Sequence, residues 1–565
     1  MSLTRRKLLH YASALSAASL GACTEDGSGS DDSGTDGSTG MEPDPSTSSG
    51  STGAPVTSTA VDESSSSTGE FDDGLPEYEW EGEPGPETLF SHGVASGDPL
   101  ADAVILWTRV TTDETGALEA FFEVAVDPEF EMRVAAEYIE TAPDRDHTIK
   151  LDLQNLSPGT TYYYRFYTQG RVSPIGRTRT APADGVERMR IAFCSCSNYS
   201  GGYFHVYRRI AERADLDLVL HLGDYIYEYA PSPSDVRQVE PANEILSLDD
   251  YRTRYATYRT DVDLQEMHRQ HPVVAVWDDH ESANDSYEDG AQNHDPKTEG
   301  DWNDRKSAAQ QAYAEWMPIR EGMPGLIYRA LPFSDLVHLV MLDTRLAGRD
   351  LQPDGTDDPE LLDDPDRQML GMEQEAWVME QLASTDAQWV LIGQQVIMSE
   401  VLIAENPINP DQWDGYRTAR QRFYDMAEMV DNMVVLTGDI HSSWAFDLAR
   451  DPQGDYDPET GAGSVGVEFV TPAVTSAGFP TNAANAAIVS NPHLHWAELT
   501  QRGYVVLDID TIRIEASWWW VDDVEDPAGD EERFASAWVL EDATRHLVEA
   551  TEPTEPPRQS PPPAP

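Results

Sequence analysis

The sequence predicts an α/β fold: a layered sandwich preceded by a small all-β domain. Three observations predict it. After residue 188, near-continuous apolar runs recur at Arg190–Phe193, Leu216–Leu222, Val273–Trp277, Leu336–Leu342, Trp389–Ile392 and Met433–Leu436, as strands buried on both faces require. Between them lie stretches of helical character, Phe204–Ala214, Asp250–Gln270 and Ala376–Ala383, and such alternation builds a layered α/β sheet. Before residue 184 the runs are short and alternate with period two, at Ala103–Val110, Phe121–Val126, Thr148–Leu153 and Thr161–Thr168, the pattern of an antiparallel sandwich.

The elements follow in order. Residues 1–23 are an address: Arg5-Arg6 precede a mildly apolar stretch that ends Leu20-Gly21-Ala22-Cys23. The paired arginines have the form of a twin-arginine export signal, and Cys23 closes a lipobox-like site for lipid attachment. The expected location is therefore periplasmic or cell-surface. Residues 24–85 are mostly Ser, Thr, Gly, Pro and acids, with no Lys or Arg; they lack the apolar surface to order themselves and read as an acidic linker. Residues 86–184 are the β-sandwich domain and 188–545 the α/β domain, whose Tyr504–Ile509 and Ile512–Val521 read as a hairpin. Residues 551–565 are a Pro-rich tail, expected to be loose.

Charge narrows the function. The chain of 565 residues has 38 Lys+Arg against 102 Asp+Glu, a formal net charge of -64. A basic footprint for nucleic acid is excluded, and docking on anionic lipid is disfavoured. Membrane contact is expected only through the anchor. Three cysteines cannot make a disulfide scaffold.

The chemistry lies where strands end. Phe193 leads to Cys194-Ser195-Cys196; Leu222 leads to Gly223-Asp224-Tyr225-Ile226-Tyr227; Trp277 leads to Asp278-Asp279-His280-Glu281; Leu436 leads to Thr437-Gly438-Asp439-Ile440-His441. Ligands of open α/β sheets gather beyond the carboxyl ends of strands. Four such ends bring together carboxylates that would repel if buried unpaired, and a di- or polynuclear metal site resolves that conflict. Any one piece is weak, since a Gly-Asp turn or a buried Cys is commonplace; their repetition is the signal.

These residues carry a resemblance. Gly223-Asp224-x-x-Tyr227 resembles the Gly-Asp-x-x-Tyr element of calcineurin-like metallophosphoesterases of the purple acid phosphatase kind. Cys196 with Asn198-Tyr199, His221 to Glu228, Trp277 to Glu281 with Asn284-Asp285, Leu342 to Arg345, Asp414-Gly415-Tyr416 and Leu436 to His441 resemble the PhoD family of alkaline phosphatases and phosphodiesterases. Phe90 to Pro99 and Leu106 to Arg109 resemble its N-terminal sandwich, and Leu153 to Tyr164 resembles a fibronectin type III turn and strand.

The resemblance implies a metallophosphoesterase sandwich holding Fe(III) and Ca2+. By motif, Cys196, Asp224, Tyr227 and His441 hold the iron; Asp224 bridges to calcium, joined by Asp279, Asp439 and Asn284. Oxygen donors suit calcium, whereas a thiolate on its own points to softer metals. Cys194 is an extra thiol beside the matching Cys196, and both stay open as the ligand. The implied substrate is a phosphate ester, attacked by water that the ions activate. His280 is a candidate to bond the phosphate or leaving group, or a structural histidine; Arg254 and Arg345 are candidates to bind phosphate, or scaffold ion-pair partners. Two other functions remain: a phosphodiesterase of phospholipids or teichoic-acid-like polymers, and a calcium-dependent adhesion module.

Overall fold

The computed structural model describes residues 73–565 and 56–57, apart from 321, 323–324, 356–357, 404–405, 408, 480–483 and 557–559. The signal, Cys23 and most of the acidic linker lie outside the described residues. Strands form where the chain is apolar on both faces: Leu218–His221, Pro272–Ala275 and Met433–Thr437 are buried at every position, so neither face is left to water.

Two large sheets result. The first runs in the order Val56–Thr57, Thr148–Gln154, Ala103–Arg109, Val94–Gly97, Pro272–Ala275, Leu218–His221, Arg188–Cys194, Arg502–Asp510, Arg513–Val521, Glu532–Glu541 and Leu547–Ala550. The second runs Arg329–Phe333, Val337–Met341, Trp389–Gly393, Met433–Thr437, Ser464–Val470, Ser443–Ala449 and Leu494–Glu498. Successive side chains of a strand face opposite ways, and the cores divide accordingly. Leu339, Leu391 and Val434 share a core with Ile191, Val219 and Val274 of the first sheet. Their neighbours Val340, Ile392 and Val435 instead pack with Val378, Leu382 and Phe423 of the helices Gly371–Ser384 and Arg417–Ala427.

The stretch Asp250–Gln270 forms two helices rather than one. The first, Leu248–Tyr258, opens on a capping box between Ser247 and Asp250. The second, Val262–Gln270, starts because the Asp261 carboxylate accepts from the amides of Asp263 and Leu264 at 2.9 and 3.0 Å, capping a new helix.

The N-terminal sandwich is fused to the main sheet. Val94–Gly97 pairs in parallel with Pro272–Ala275, and a Cβ on Gly97 would collide with the carbonyls of Val273 and Pro318. Its facing sheet comprises Leu118–Ala125, Arg133–Thr141, Thr161–Thr168, Arg171–Val172 and Gly176–Arg179.

Two segments depart from expectation. Residues 73–85, assigned to the linker, are seated on the sandwich: Asp73 pairs with Arg133 at 2.9 Å, and the Tyr78 ring stacks on Tyr167 at 4.9 Å. The Pro-rich tail is docked as well. Tyr163 Oη donates to the Pro562 carbonyl at 2.6 Å, and Gln270 exchanges two hydrogen bonds with the main chain of Ala564, at 2.9 and 3.0 Å. Composition averages over a segment and misses single anchors whose partners are distant in sequence.

Candidate metal centre

Four strand ends converge. Cys196 follows Arg188–Cys194, Asp224 follows Leu218–His221, Asp279 and His280 follow Pro272–Ala275, and Asp439 and His441 follow Met433–Thr437. The turns that carry them are tight. Gly223 has φ +105, and a Cβ there would collide with Asp278; a Cβ on Gly438 would lie 2.7 Å from Ser195 Oγ. Cys196, Asp224, Asp439 and His441 themselves take positive φ of 62, 55, 59 and 56°. For residues with a Cβ this left-handed region costs on the order of 1 kcal/mol or more each, and such strain clusters at functional sites.

Two ligand groups share one residue. The donor atoms of Cys196, Asp224 and His441 lie within 4.8 Å of one another, as do those of Asp224, Asp279 and His280. Tyr227 joins them: its Oη donates to Asp224 Oδ2 at 2.9 Å, accepts from Ser476 Oγ at 2.6 Å and lies 3.3 Å from His441 Nε2. His441 Nδ1 is 2.9 Å from the Ala477 carbonyl, and donation there turns Nε2 toward the cluster as an acceptor. His280 Nδ1 is 2.7 Å from Glu228 Oε2, and its ring stacks on Tyr227 at 4.1 Å.

Other expected residues fall elsewhere. Cys194 Sγ sits in the core at 3.8 Å from the Leu220 carbonyl, so Cys196 is the cysteine at the cluster. Arg254 is buried and donates to the carbonyls of Tyr227, Glu240, Pro241 and Asn243, the scaffold role of its two expected ones. Arg345 is fully buried and spent on carboxylates, at 2.5 Å from Asp278, 2.8 Å from Asp411 and 2.9 Å from Asp439, with Asp279 at 3.8 Å. Full burial among these acids makes it the counter-charge that sets them in place. The Asn284 amide also has partners of its own, accepting from Tyr229 Oη at 3.0 Å and donating to Gln292 at 3.0 Å.

Several supports escaped the sequence reading. Glu281 accepts from the amides of Asp224, Tyr225 and Asp278 at 3.1, 2.6 and 2.8 Å, fixing two ligand turns at once. Gln412 donates to Asp439 Oδ2 at 3.3 Å. Glu228 and Glu281 stood inside quoted motifs, where an acid next to apolar residues was the available signal; Ser476 offered none.

The electrostatics call for a cation. Burial, then the charge of Asp224, pushes the Cys196 thiol and the Tyr227 phenol well above their ordinary ranges. Burial, with Asp411, Asp279 and Asp224 outweighing Arg345, pushes Asp439 up to about 6. Burial and Asp224 push Glu281 up to about 8. Burial also opposes the charge on Asp279, but Arg345 and His280 overcome it and hold that carboxyl below its usual range. Asp224 Oδ1 is buried without any hydrogen-bond partner, and an unpaired carboxylate oxygen at that depth is costly. A bound cation reverses each penalty, so the residues present fit a metal.

Fold and donor set together define the class: a metal-dependent phosphoesterase. The family model for the PhoD-like phosphatase matches residues 191–518, and that for the PhoD-like phosphatase N-terminal domain matches residues 78–182. The chain belongs to the PhoD-like phosphatase family. It is 37% identical over 444 residues to alkaline phosphatase D of Bacillus subtilis (strain 168), covering 74% of this chain and 75% of that protein. The solved structure of PhoD superposes with a TM-score of 0.76 at 33% identity, covering 85% of this chain and 94% of that one. The chain is accordingly a phosphoric ester hydrolase.

Proposed function

We propose that this enzyme is an alkaline phosphatase acting on phosphate monoesters, with Fe(III) held by Cys196, Asp224, Tyr227 and His441 and Ca2+ held by Asp224, Asp279 and Asp439. The observation that carries the reading is Asp224: it belongs to both ligand groups, and its Oδ1 has no other partner. Oxygen donors suit calcium, while phenolate and carboxylates suit a hard trivalent ion. Ions bound there neutralise charge on the phosphoryl oxygens and lower the pKa of water.

The chain's own groups do the rest. Burial disfavours a charged His280, but Asp279, Glu228 and Asp224 overcome it and hold its pKa well above the ordinary value. With Nδ1 held by Glu228 at 2.7 Å, His280 has Nε2 left to bond the phosphate or the ester's leaving oxygen. Arg345 and Glu281 position the acids.

The test compares p-nitrophenyl phosphate with bis-p-nitrophenyl phosphate at alkaline pH, with metal analysis of the same sample. Faster monoester turnover, lost on chelation of calcium, supports the reading. A diester preference makes the enzyme a phosphodiesterase, and protein that keeps its metals yet turns over neither ester points to the adhesion module. Tyrosinate-to-iron charge transfer should colour the concentrated protein; a colourless active enzyme sinks the iron assignment.

We also propose, from the N-terminal sequence, that the protein works outside the cytoplasm, exported through Arg5-Arg6 and anchored at Cys23. Cys23→Ser should release it from membranes. Retention of that variant at the wild-type level removes the anchor.

A further inference from the structure

Among the described residues, a third ligand group stands apart from the catalytic cluster: Asp447, His495 and His546, with donor atoms within 4.8 Å of one another. Asp447 lies on Ser443–Ala449, four residues past its start, about 13 Å along the strand. His495 lies on the edge strand Leu494–Glu498 of the same sheet. His546 comes from the turn ahead of Leu547–Ala550, the last strand of the other sheet. Three elements from two sheets thus meet at one carboxylate.

The local geometry is that of a site. Asp447 is fully buried, and its orientation is fixed from behind by the Leu547 amide at 3.0 Å and the Tyr456 hydroxyl at 2.9 Å. His546 Nδ1 lies 2.6 Å from Oδ2. His495 Nε2 lies 3.0 Å from Oδ1, yet it is buried and makes no aligned hydrogen bond. A buried ring nitrogen without an aligned hydrogen bond gains a partner when an ion is bound beside it. Tetrahedral ligands about 2.0–2.1 Å from a zinc ion stand roughly 3.3 Å apart; His495 at 3.0 Å is near that spacing, and His546, which hydrogen-bonds Oδ2 at 2.6 Å, draws back slightly to share the ion. The turn that delivers His546 holds Ala543 and Arg545 at φ of 59 and 51°, strain of the kind found at functional positions. The two histidine side chains keep 13% and 19% exposure, enough for an ion to arrive and a water to complete the shell.

We propose that Asp447, His495 and His546 form a second metal site, for zinc or a similar borderline divalent ion, which clasps the C-terminal strand of the first sheet to the edge of the second. Two imidazoles with one carboxylate select such ions over calcium and magnesium, which take all-oxygen shells. The site holds no thiolate, and this distinguishes it from the cluster at Cys196.

The test uses the full chain loaded with its catalytic metals, to which zinc chloride is added before dialysis and metal analysis. Wild type should retain one zinc more than His546→Ala and His495→Gln, and zinc should raise the melting midpoint of wild type alone. Phosphatase turnover should be equal in all three. Equal zinc retention by the three proteins overturns the proposal, as does no retention by wild type. X-ray absorption of wild type with less than one equivalent of zinc gives an answer that needs no variant. A nitrogen and oxygen shell with imidazole scattering supports the site; sulfur in the shell puts the ion at Cys196 and overturns it.

Discussion

Replacing Arg345 by Met removes a guanidinium that lies within 2.9 Å of Asp278, Asp411 and Asp439 and 3.8 Å from Asp279; Asp411 keeps a second partner in Arg349. The side chain is fully buried, so Asp278, Asp279 and Asp439 lose this counter-charge where water is a poor replacement. Breaking a buried ion pair by deleting one partner costs about 3–5 kcal/mol. A shift of about 1 Å in the catalytic groups costs roughly 100-fold in rate. Arg345→Met should therefore unfold at lower urea by that free energy, lose calcium, and show kcat on p-nitrophenyl phosphate reduced about 100-fold. Arg345→Lys keeps the charge and loses the planar fork, so it should fall between the two. The assay is steady-state kinetics with metal analysis and urea unfolding of the same samples. A phosphate-binding arginine behaves differently: its loss raises KM at constant kcat. Variants with full metal content, unchanged stability and kcat, and KM raised tenfold or more would refute the positioning role.

Cys196→Ser should lose the visible absorption and the iron, whereas Cys194→Ala should keep both and lose only about 1 kcal/mol of core packing; metal analysis with urea unfolding decides, and iron retained by Cys196→Ser defeats the assignment. Glu228→Gln withdraws the partner of His280 and should lower kcat about 10–100-fold, the usual effect of an outer-shell partner, with the metals retained; unchanged kinetics would show that the 2.7 Å contact is idle. His271 is buried, its pKa pushed down from 6.5 to about 3 by burial and then Arg177. The unfolded chain takes up that proton first, so stability present above pH 6.5 is lost as pH falls toward 3. Below 6.5 wild type should lose about 1.4 kcal/mol per pH unit more than His271→Gln, and equal slopes in urea titrations would remove this source.

Legibility in the sequence followed the range of the interaction. Strand positions were readable because an apolar run must be covered on both faces, whatever covers it, and the ligand motifs because strand ends gather ligands. That located the four strand-end motifs; the choice of Cys196, Asp224, Tyr227, Asp279, Asp439 and His441 within them came from the family resemblance. Long-range contacts were not readable. Arg345 stayed open between phosphate binder and scaffold ion-pair partner because nothing near it in sequence shows that Asp411 and Asp439, 66 and 94 residues away, take its donors. Residues 73–85 looked like linker because Asp73 meets Arg133 only in the fold. The break at Asp261 was local, and a cap three residues before Leu264 was present in the sequence to be read.

The pairing of Arg188–Cys194 with Arg502–Asp510 also sets a timetable. Arg190 and its partner Asp508 are 318 residues apart. A ribosome adding ~5–20 residues per second needs roughly 15–60 s to cover that distance. Throughout that interval the strand that leads to Cys196 has an open edge, a template for pairing with another chain. The first half of the centre, with Asp224, Tyr227 and Asp279, is made well before Asp439 and His441. An ion arriving early meets only part of its shell, so secure loading waits until Asp439 and His441 have emerged.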